Sequence, residues 1–465
     1  RNSQCEWCAW RGSAPPPPLF IATKIGVDAQ DTINISDGMG AVVFIMWFGF
    51  VIQGSIMMGA TAIVSRMTGA RDYPQAQHGL HQAAMLGLLA GTISCGLLFT
   101  CSDFMVTHVL TMNETARAYA LQYVYMAAFA APFSGVVFAI NAALRGSGDT
   151  RLPFWIMMSV GILNVIFSVI FVFADAPLGG WRIGGIAAGT VCGYGISMCI
   201  LLFIMLRRRK KIFTGRKNES LEELVRERGE HYAPPLYLSF SHLRLDMGMQ
   251  KRILKIGLPQ AVEVFGMWGI QMFCLSIISE LPVKGVLGVH NIAVRIESLS
   301  FLPGFAIGMA ASTLVGQYLG ARNALMARIT IWKCMRYAVI FMTGLGVLFS
   351  AFPALFMEIF SNGSTTLIDT GIPLLLTMLV VEPFFAACIV IKMSLRGAGD
   401  TRRVMLISYG IMGFFRVVCT WVWFRLAPET MTLWGIWLVF AFEMAVQSAI
   451  LYKIVKGRSW TKLQV

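Results

Sequence analysis

The sequence predicts an all-α integral membrane protein made of two parallel-repeat helical bundles, with about 11–12 membrane spans. Of its 465 residues, 56% are hydrophobic and 13% are charged, which is more apolar surface than a soluble domain can bury. The octapeptide Leu144–Arg151 (LRGSGDTR) recurs as Leu395–Arg402 (LRGAGDTR), with seven of eight positions identical at an offset of 251 residues. The same offset maps Gly-Ala-Arg at 69–71 onto Gly-Ala-Arg at 320–322. One unit of about half the chain is therefore present twice, as in transporters built from two similar halves around a substrate path.

Long apolar runs mark the individual spans in each half. In the first half they are Gly40–Val64, Ala83–Phe104, Ala118–Leu144, Phe154–Phe173 and Ile183–Leu206. In the second half they are Ile253–Ile278, Val286–Val315, Trp332–Phe356, Ile372–Leu395, Val404–Phe424 and Leu433–Val455. These are eleven runs, one fewer than a symmetric parent would have, because no clear counterpart of Ile253–Ile278 precedes the first run.

These runs divide the chain into five regions. We expect an atypical N-terminal segment (1–36), which replaces or truncates the first span, an N-terminal bundle (37–206), a cytoplasmic linker (207–250), a C-terminal bundle (251–457) and a tail (458–465). The first segment is atypical because the prolines at 15–18 cannot continue a helix. Its Cys5-x-x-Cys8 pair has metal-site spacing but no second ligand pair nearby, so we expect neither a metal nor a cofactor there.

Basic residues concentrate in alternate loops and predict the orientation. Arg66, Arg71, the run at 207–211 and the tail lie on one set of loops, and the opposite loops hold few Lys or Arg. Because cytoplasmic loops carry the excess of Lys and Arg, this set and the C-terminus are expected in the cytoplasm. The same distribution accounts for the net charge of +14 without a nucleic-acid surface.

The repeated octapeptide has the composition of a tight helix–turn–helix hairpin. Arg145 and Arg396 would end a span, where a positive charge meets the negative end of the helix dipole. Gly146 and Gly397 suit a left-handed position after the helix, and Asp149 and Asp400 would cap the next helix. A second role is also possible, in which these basic hairpins pair with acidic side chains during transport.

The paired hairpins, the repeated Gly-Ala-Arg and the sequence Leu299–Gly304 (LSFLPG) resemble the multidrug and toxic compound extrusion (MATE) transporters. The resemblance extends from about Phe20 to Val455. It implies two six-helix bundles arranged as a V, and export of organic, often cationic or amphipathic compounds driven by inward flow of Na⁺ or H⁺. It also implies a multi-pass protein of the plasma membrane, in bacteria the inner membrane, without enzymatic activity. We expect small organic substrates and the lipid bilayer as partners, no nucleic acid, and a monomer.

Four acidic residues lie well inside predicted spans, where a charge costs roughly 2.5–3.5 kcal/mol and indicates function. They are Glu263, Glu297, Glu382 and Glu443. The residues related to them by the offset are Gly12, Met46, Ala131 and Cys192, none of which is acidic. We therefore expect the second half to handle the coupling ion.

Glu263, four residues after Pro259, is the first candidate for ion coupling, because the family often carries an ion-linked acid in this span. Glu382 precedes Pro383, whose ring frees a backbone carbonyl that would suit a hard cation such as Na⁺. Glu297 is the third candidate. A local ion pair with Lys392 or Arg416 is the alternative explanation for any of these acids.

A second set of side chains is predicted to line the substrate path. On the helix of Glu263 these are Met267, Trp268 and Gln271, of which Met267 and Gln271 share its face. In the first half, polar or aromatic lining is expected from the remaining candidates, Asn141, Asn164 and Tyr194. Methionine and aromatic side chains accommodate varied shapes and attract cations.

Three other functions remain open at this point. A flippase for a lipid-linked sugar would require a cationic cavity, for which Lys392 and Arg416 are the available residues. A membrane enzyme is disfavoured, because no span contains paired metal ligands or a nucleophile with a base at helical spacing. The unusual first 19 residues also allow an inactive, truncated copy. The residues do not distinguish Na⁺ from H⁺ as the coupling ion.

Overall fold

A computed structural model describes residues 29–109, 113–174, 179–212, 234–239, 245–283, 285–361, 365–457 and 459–462. Every regular element in this part of the chain is a helix. The predicted N-terminal segment lies outside it up to residue 28, as do Cys5, Cys8, most of the linker and the end of the tail. The eight cysteines within the described ranges are all free thiols.

The helices of the first half are α1 (Ala29–Gly69), α2 (Tyr73–Phe104), α3 (Glu114–Ala128), α4 (Ala130–Ser147), α5 (Arg151–Phe173) and α6 (Arg182–Ile212). Helix α1 begins inside the range assigned to the N-terminal segment, and α6 extends six residues into the range assigned to the linker. One π-helical turn, Met105–Val109, continues α2.

The helices of the second half are α7 (Met247–Ser279), α8 (Val286–Gly320), α9 (Ala324–Ala351), α10 (Pro353–Ser361), α11 (Thr365–Gly397), α12 (Thr401–Met412), α13 (Thr420–Leu426) and α14 (Leu433–Lys456). A π-helical segment, Gly413–Cys419, joins α12 to α13, so the three form one continuous span. Prolines interrupt the hydrogen bonding inside α7, α8 and α11.

The predicted spans are confirmed as long apolar helices. Ten helices in the described ranges are long and apolar enough to cross a membrane, and α3 with α4 adds an eleventh if this pair is one span. That pair bends by 50° at Phe129, within the run predicted as Ala118–Leu144. The large apolar side chains left exposed, such as Trp155, Leu302 and Phe442, suit a lipid surface.

The described residues form two compact units, and the boundary falls inside α7 between Ala261 and Val262. The same packing scheme recurs in both units, because α1, α2 and α4 pack mutually in the first, and α8, α9 and α11 do so in the second. These sets correspond under the 251-residue offset, as α1 ends at Gly69 and α8 at Gly320. The sequence repeat is thus also a structural repeat.

Small residues allow the closest helix contacts. Gly87 of α2 and Gly135 of α4 face each other, and a Cβ on either would overlap the carbonyl oxygen of the other. One turn away, a Cβ on Gly91 would overlap the backbone of Ala131. Lipid-exposed helices associate through such close backbone contacts, since no hydrophobic effect drives them together.

Candidate ion-coupling site in the second bundle

Both repeated hairpins adopt the same turn, but the glycine in the left-handed position differs from the prediction. The amide of Gly148 (φ 95°) donates to the Arg145 carbonyl at 2.9 Å, and Gly399 (φ 88°) makes the same bond to Arg396. Gly146 and Gly397 remain helical. Their assignment to the left-handed position is therefore wrong, because they instead allow close approach to a neighbouring helix.

The partners of that close approach are equivalent in the two halves. A Cβ on Gly146 would lie 3.0 Å from the carbonyl oxygen of Thr61, and one on Gly397 would overlap that of Ser312. The first glycine of the motif therefore fixes the end of α4 against α1, and the end of α11 against α8.

The two motif aspartates follow their predicted roles unequally. Asp149 accepts a hydrogen bond from the Leu152 amide at 3.3 Å and forms an ion pair with Arg208 at 2.8 Å. Asp400 is the N-cap residue of α12 and forms an ion pair with Arg403 at 3.3 Å. Burial raises the pKa of Asp400 above its ordinary value, and Arg403 opposes this shift.

Glu263 of α7 is fully buried and joined to the second hairpin. Its Oε1 lies 2.9 Å from Nη2 of the motif residue Arg396 and accepts a hydrogen bond from the Ser408 hydroxyl at 2.7 Å. Lys392, one turn before Arg396, interacts electrostatically with the same carboxylate. The first ion-coupling candidate is thus held in an ion pair with a hairpin arginine, as the second role of the basic hairpins allowed, and not with Lys392 or Arg416.

A second buried ion pair occupies the π-helical segment. Arg416 contacts the Glu443 carboxylate through Nε at 3.0 Å and Nη2 at 2.9 Å, and its guanidinium stacks on Phe440 with 4.1 Å between Cζ and the ring centroid. Its Nη1 donates to Gln271 at 3.4 Å. Arg416, considered from the sequence as a partner for the three ion-coupling candidates, thus forms its ion pair with Glu443 instead. Such π-helical turns are frequent at functional sites.

Glu382 and Glu297 have no such partner. Glu382 is fully buried, and its Oε1 accepts a hydrogen bond from the Ser300 hydroxyl. Glu297 lies close enough to Glu382 for the two carboxylates to interact electrostatically. Arg416 also interacts electrostatically with Glu297, but the distance between them is too long for an ion pair. Neither carboxylate forms an ion pair within the described ranges.

Together these groups leave an imbalance of charge. The network consists of the acidic and basic side chains that are buried or half-buried in α7, α8, α11, the π-helical segment and α14. There are four carboxylates (Glu263, Glu297, Glu382, Glu443) and three cations (Lys392, Arg396, Arg416). His290 adds no charge, because its Nδ1 accepts a hydrogen bond from Trp437 Nε1 at 3.2 Å and is therefore unprotonated. If every carboxylate is ionised, this network lacks one positive charge.

The first bundle contains no equivalent cluster among its described residues. Asn141, which the offset relates to Lys392, is fully buried, and neither its amide nitrogen nor its carbonyl oxygen has a hydrogen-bond partner. Asn164 donates to Thr190 at 2.7 Å and so joins α5 to α6, and the Tyr194 ring packs edge-on against Phe138. Arg145 forms no ion pair within the described ranges.

The predicted lining residues of α7 divide into two groups. Gln271 belongs to the Arg416 network, whereas Met267 and Trp268 are half-buried. Sequence reasoning missed Ser408 and Ser300 as partners of the acids, and it did not assign the hairpin residue Arg396 to Glu263. The spacing of Lys392 and Arg396, which places both cations on one face of α11, was the available signal.

Comparison with known proteins agrees with this architecture. The family model described as MatE matches residues 37–170 and 259–422. A probable multidrug resistance protein NorM from Thermotoga maritima is 24% identical over 432 residues, which cover 92% of this chain and 86% of that protein.

Solved structures of low sequence identity share the fold. A MOP superfamily transporter from Pyrococcus furiosus, described as having a binding pocket of reverse polarity, superposes with a TM-score of 0.80 at 16% identity over 96% of this chain and 92% of that one. An outward-facing multidrug resistance MATE family transporter gives a TM-score of 0.79 at 16% identity, with the same coverage. Since the family model covers more than half of the chain and matches both repeats, this protein belongs to the MATE family and is a multi-pass membrane transporter rather than an enzyme.

Proposed function

We propose that the protein is a secondary active antiporter that exports organic, cationic or amphipathic compounds by alternating access, in exchange for Na⁺ or H⁺. The observation that carries this proposal is the charge imbalance among the buried or half-buried side chains of α7, α8, α11, the π-helical segment and α14, where four carboxylates face three cations. A buried network of this kind is stable only when its charges are compensated. One bound monovalent cation provides the compensation.

We assign that cation to Glu382 and Glu297. These are the two carboxylates without ion pairs, and the Ser300 hydroxyl adds a third oxygen. Pro383 inside α11 lacks an amide hydrogen, so the carbonyl of Leu379 loses its helical partner and is a fourth available oxygen. Hard cations bind such oxygen ligands, and a proton shared between the carboxylates would neutralise the same charge. Glu263 then acts indirectly, by holding Arg396.

Either ion supplies the driving force. A cation entering a negative cell interior gains about 2.3 kcal/mol per 100 mV. Binding at Glu382 and Glu297 completes the charge balance of this network, and release on the opposite side restores the unbalanced state that favours the reverse movement. For a monovalent cationic substrate the exchange moves no net charge, so the ion gradient determines the direction of substrate movement. For an uncharged substrate the membrane potential adds to that gradient.

The cellular setting follows from the same reasoning. The relatives named multidrug resistance protein NorM are bacterial, which supports a place in the bacterial inner membrane, with small organic molecules as substrates. The basic loops and tail favour a cytoplasmic C-terminus. We propose a monomer that binds no nucleic acid and needs no cofactor besides the coupling ion.

A flippase for a lipid-linked sugar is a weaker alternative. It would need several unpaired cations facing a cavity, whereas Arg396 and Arg416 are both neutralised by carboxylates at 2.9 Å. Only Lys392 is left without an ion pair among the cations of this network. The observed charge distribution therefore favours a cation-coupled exporter.

Ethidium efflux from proteoliposomes tests the proposal, with a sodium or a proton gradient imposed separately. Glu382→Gln and Glu297→Gln should each abolish the stimulation by whichever gradient drives the wild type. Glu358→Gln, an exposed acid on α10, is the matched control and should leave efflux unchanged. Gradient-driven efflux that persists in both Glu382→Gln and Glu297→Gln would contradict this coupling site.

A further inference from the structure

Lys392 occupies an unusual position in the second bundle. Its side chain is only 9% exposed, yet it forms neither a hydrogen bond nor an ion pair within the described ranges. It interacts electrostatically with both Glu263 and Glu443. A largely buried cation that forms no ion pair is costly, so a nearby arrangement that supplies one should be accessible.

Both neighbouring carboxylates have a free position for it. Arg396 and Ser408 bind Oε1 of Glu263, and Oε2 is buried without a hydrogen-bond partner. Arg416 binds Oε2 of Glu443, and Oε1 is likewise buried and unpartnered. Each carboxylate is therefore fixed by an arginine through one oxygen and presents a second oxygen that can accept from an ammonium group.

We propose that Lys392 is a mobile counter-ion that pairs alternately with Oε2 of Glu263 and Oε1 of Glu443 during the transport cycle. Within the described ranges its ammonium group forms an ion pair with neither carboxylate, and its unbranched side chain can reorient towards either oxygen without moving the helix. The two pairings give the second bundle two discrete arrangements of similar energy. Lys392 is then a positioning residue that does not touch the coupling ion.

The exchange would connect the coupling site to the cytoplasmic hairpin. Glu297 interacts with Arg416, Arg416 pairs with Glu443, and Lys392 interacts electrostatically with both Glu443 and Glu263. Glu263 in turn holds Arg396 of the repeated motif. The signs of these groups alternate, so a cation bound near Glu297 weakens the pull of Glu297 on Arg416 and shifts the preference of Lys392. This step rests on the proposed coupling site.

Efflux kinetics and thermal stability of the purified protein test this role together. Lys392→Gln should lower the maximal ethidium efflux rate at least tenfold while the substrate KM stays within twofold, and Lys392→Arg should recover the rate to within threefold of the wild type. Lys333→Gln, which removes an exposed lysine on α9, is the control and should be unchanged.

Two charge-balanced double variants separate exchange from simple charge compensation. Lys392→Gln combined with Glu263→Gln, or with Glu443→Gln, removes one positive and one negative charge, so the net charge of the network is unchanged, and the unfolding midpoint of each double shows that it is folded. A mobile counter-ion predicts that both doubles remain at least tenfold slow, because neither can alternate. Recovery of either double to more than half of the wild-type rate would overturn the proposal, as would a wild-type rate in Lys392→Gln.

Ion binding distinguishes this inference from the proposed function. The coupling ion should raise the thermal unfolding midpoint of the wild type and of Lys392→Gln, but not that of Glu382→Gln. If Glu382→Gln keeps the ion-dependent rise, the coupling site is wrong, while slow charge-balanced doubles would still support exchange by Lys392. If Lys392→Gln loses the rise, Lys392 belongs to the ion site itself and the positioning role is refuted.

Discussion

Replacing the motif arginine in each half should have very different consequences. Arg396 is 8% exposed and pairs with the fully buried Glu263 at 2.9 Å, whereas Arg145, at the equivalent position, forms no ion pair in the described part of the chain. Breaking a buried pair leaves an uncompensated charge and typically costs about 3–5 kcal/mol. Because Lys392 partly compensates Glu263, we expect Arg396→Gln to lose about 3 kcal/mol of folding free energy, at the lower end of that range. Arg145→Gln removes no pair and should lose less than about 1 kcal/mol.

Thermal unfolding of the purified protein, followed by tryptophan fluorescence, measures the difference. For a unit of about 200 residues, 1 kcal/mol shifts the midpoint by roughly 2–4 °C, so Arg396→Gln should fall by roughly 6–12 °C. Adding Glu263→Gln to Arg396→Gln should restore part of the loss, because partners in one ion pair are not additive. Equal losses in Arg145→Gln and Arg396→Gln would refute this reasoning, and would show that both arginines act on the helix end alone.

Two further predictions concern the helix ends and the helix contacts. Hydrogen bonds from His78, and then from the amides of Met249 and Gly248, lower the pKa of Asp246 below its ordinary value of 3.8. The ionised Asp246 carboxylate therefore stabilises α7 above that pH, and this stabilisation is lost as the pH falls through the lowered pKa. The difference in unfolding midpoint between the wild type and Asp246→Asn should therefore be constant near neutral pH, should shrink as the pH falls below 3.8 and should vanish once the pH lies below the lowered pKa; a difference that grows on acidification would contradict the assignment. At the α2–α4 contact, Gly135→Ala should lower the folding stability by about 1–3 kcal/mol, because the added Cβ overlaps a backbone carbonyl. Gly96→Ala, with no atom near its added Cβ, should raise the folding stability by about 0.4–1 kcal/mol, and the same unfolding midpoints measure both changes.

The sequence was sufficient to predict the spans and the repeat, because both depend on signals that extend over many residues. A run of about 20 apolar residues has few alternatives to a membrane helix, and a shared octapeptide at a fixed offset specifies the same hairpin twice. The left-handed position is taken by Gly148 and not by the predicted Gly146, which shows the limit of this reasoning. Either glycine suits the turn by itself, and the packing of Gly146 against Thr61 decides between them.

The acids could be located from the sequence, but their partners could not. Glu263 and Arg396 are separated by 133 residues, and several cations lie at comparable depth in the second half. Which cation meets which acid depends on helix rotation and on the π-helical turn that carries Arg416, and neither leaves a periodic signal. The sequence therefore predicts that ion coupling belongs to the second half, while the structure separates the paired acids Glu263 and Glu443 from the unpaired Glu382 and Glu297.

The differences between the halves carry more functional information than their identities. The repeated motif residues build equivalent turns and equivalent helix contacts in both bundles. Yet Asn141 stands where the second half has Lys392, and Ala131 stands where it has Glu382. Since an ionised side chain inside a span is costly, the second half keeps these charges only where they compensate one another or bind an ion. Both bundles share one scaffold, but among the described residues only the second contains fully buried carboxylates, which supports our proposal that this half couples ion flow to export.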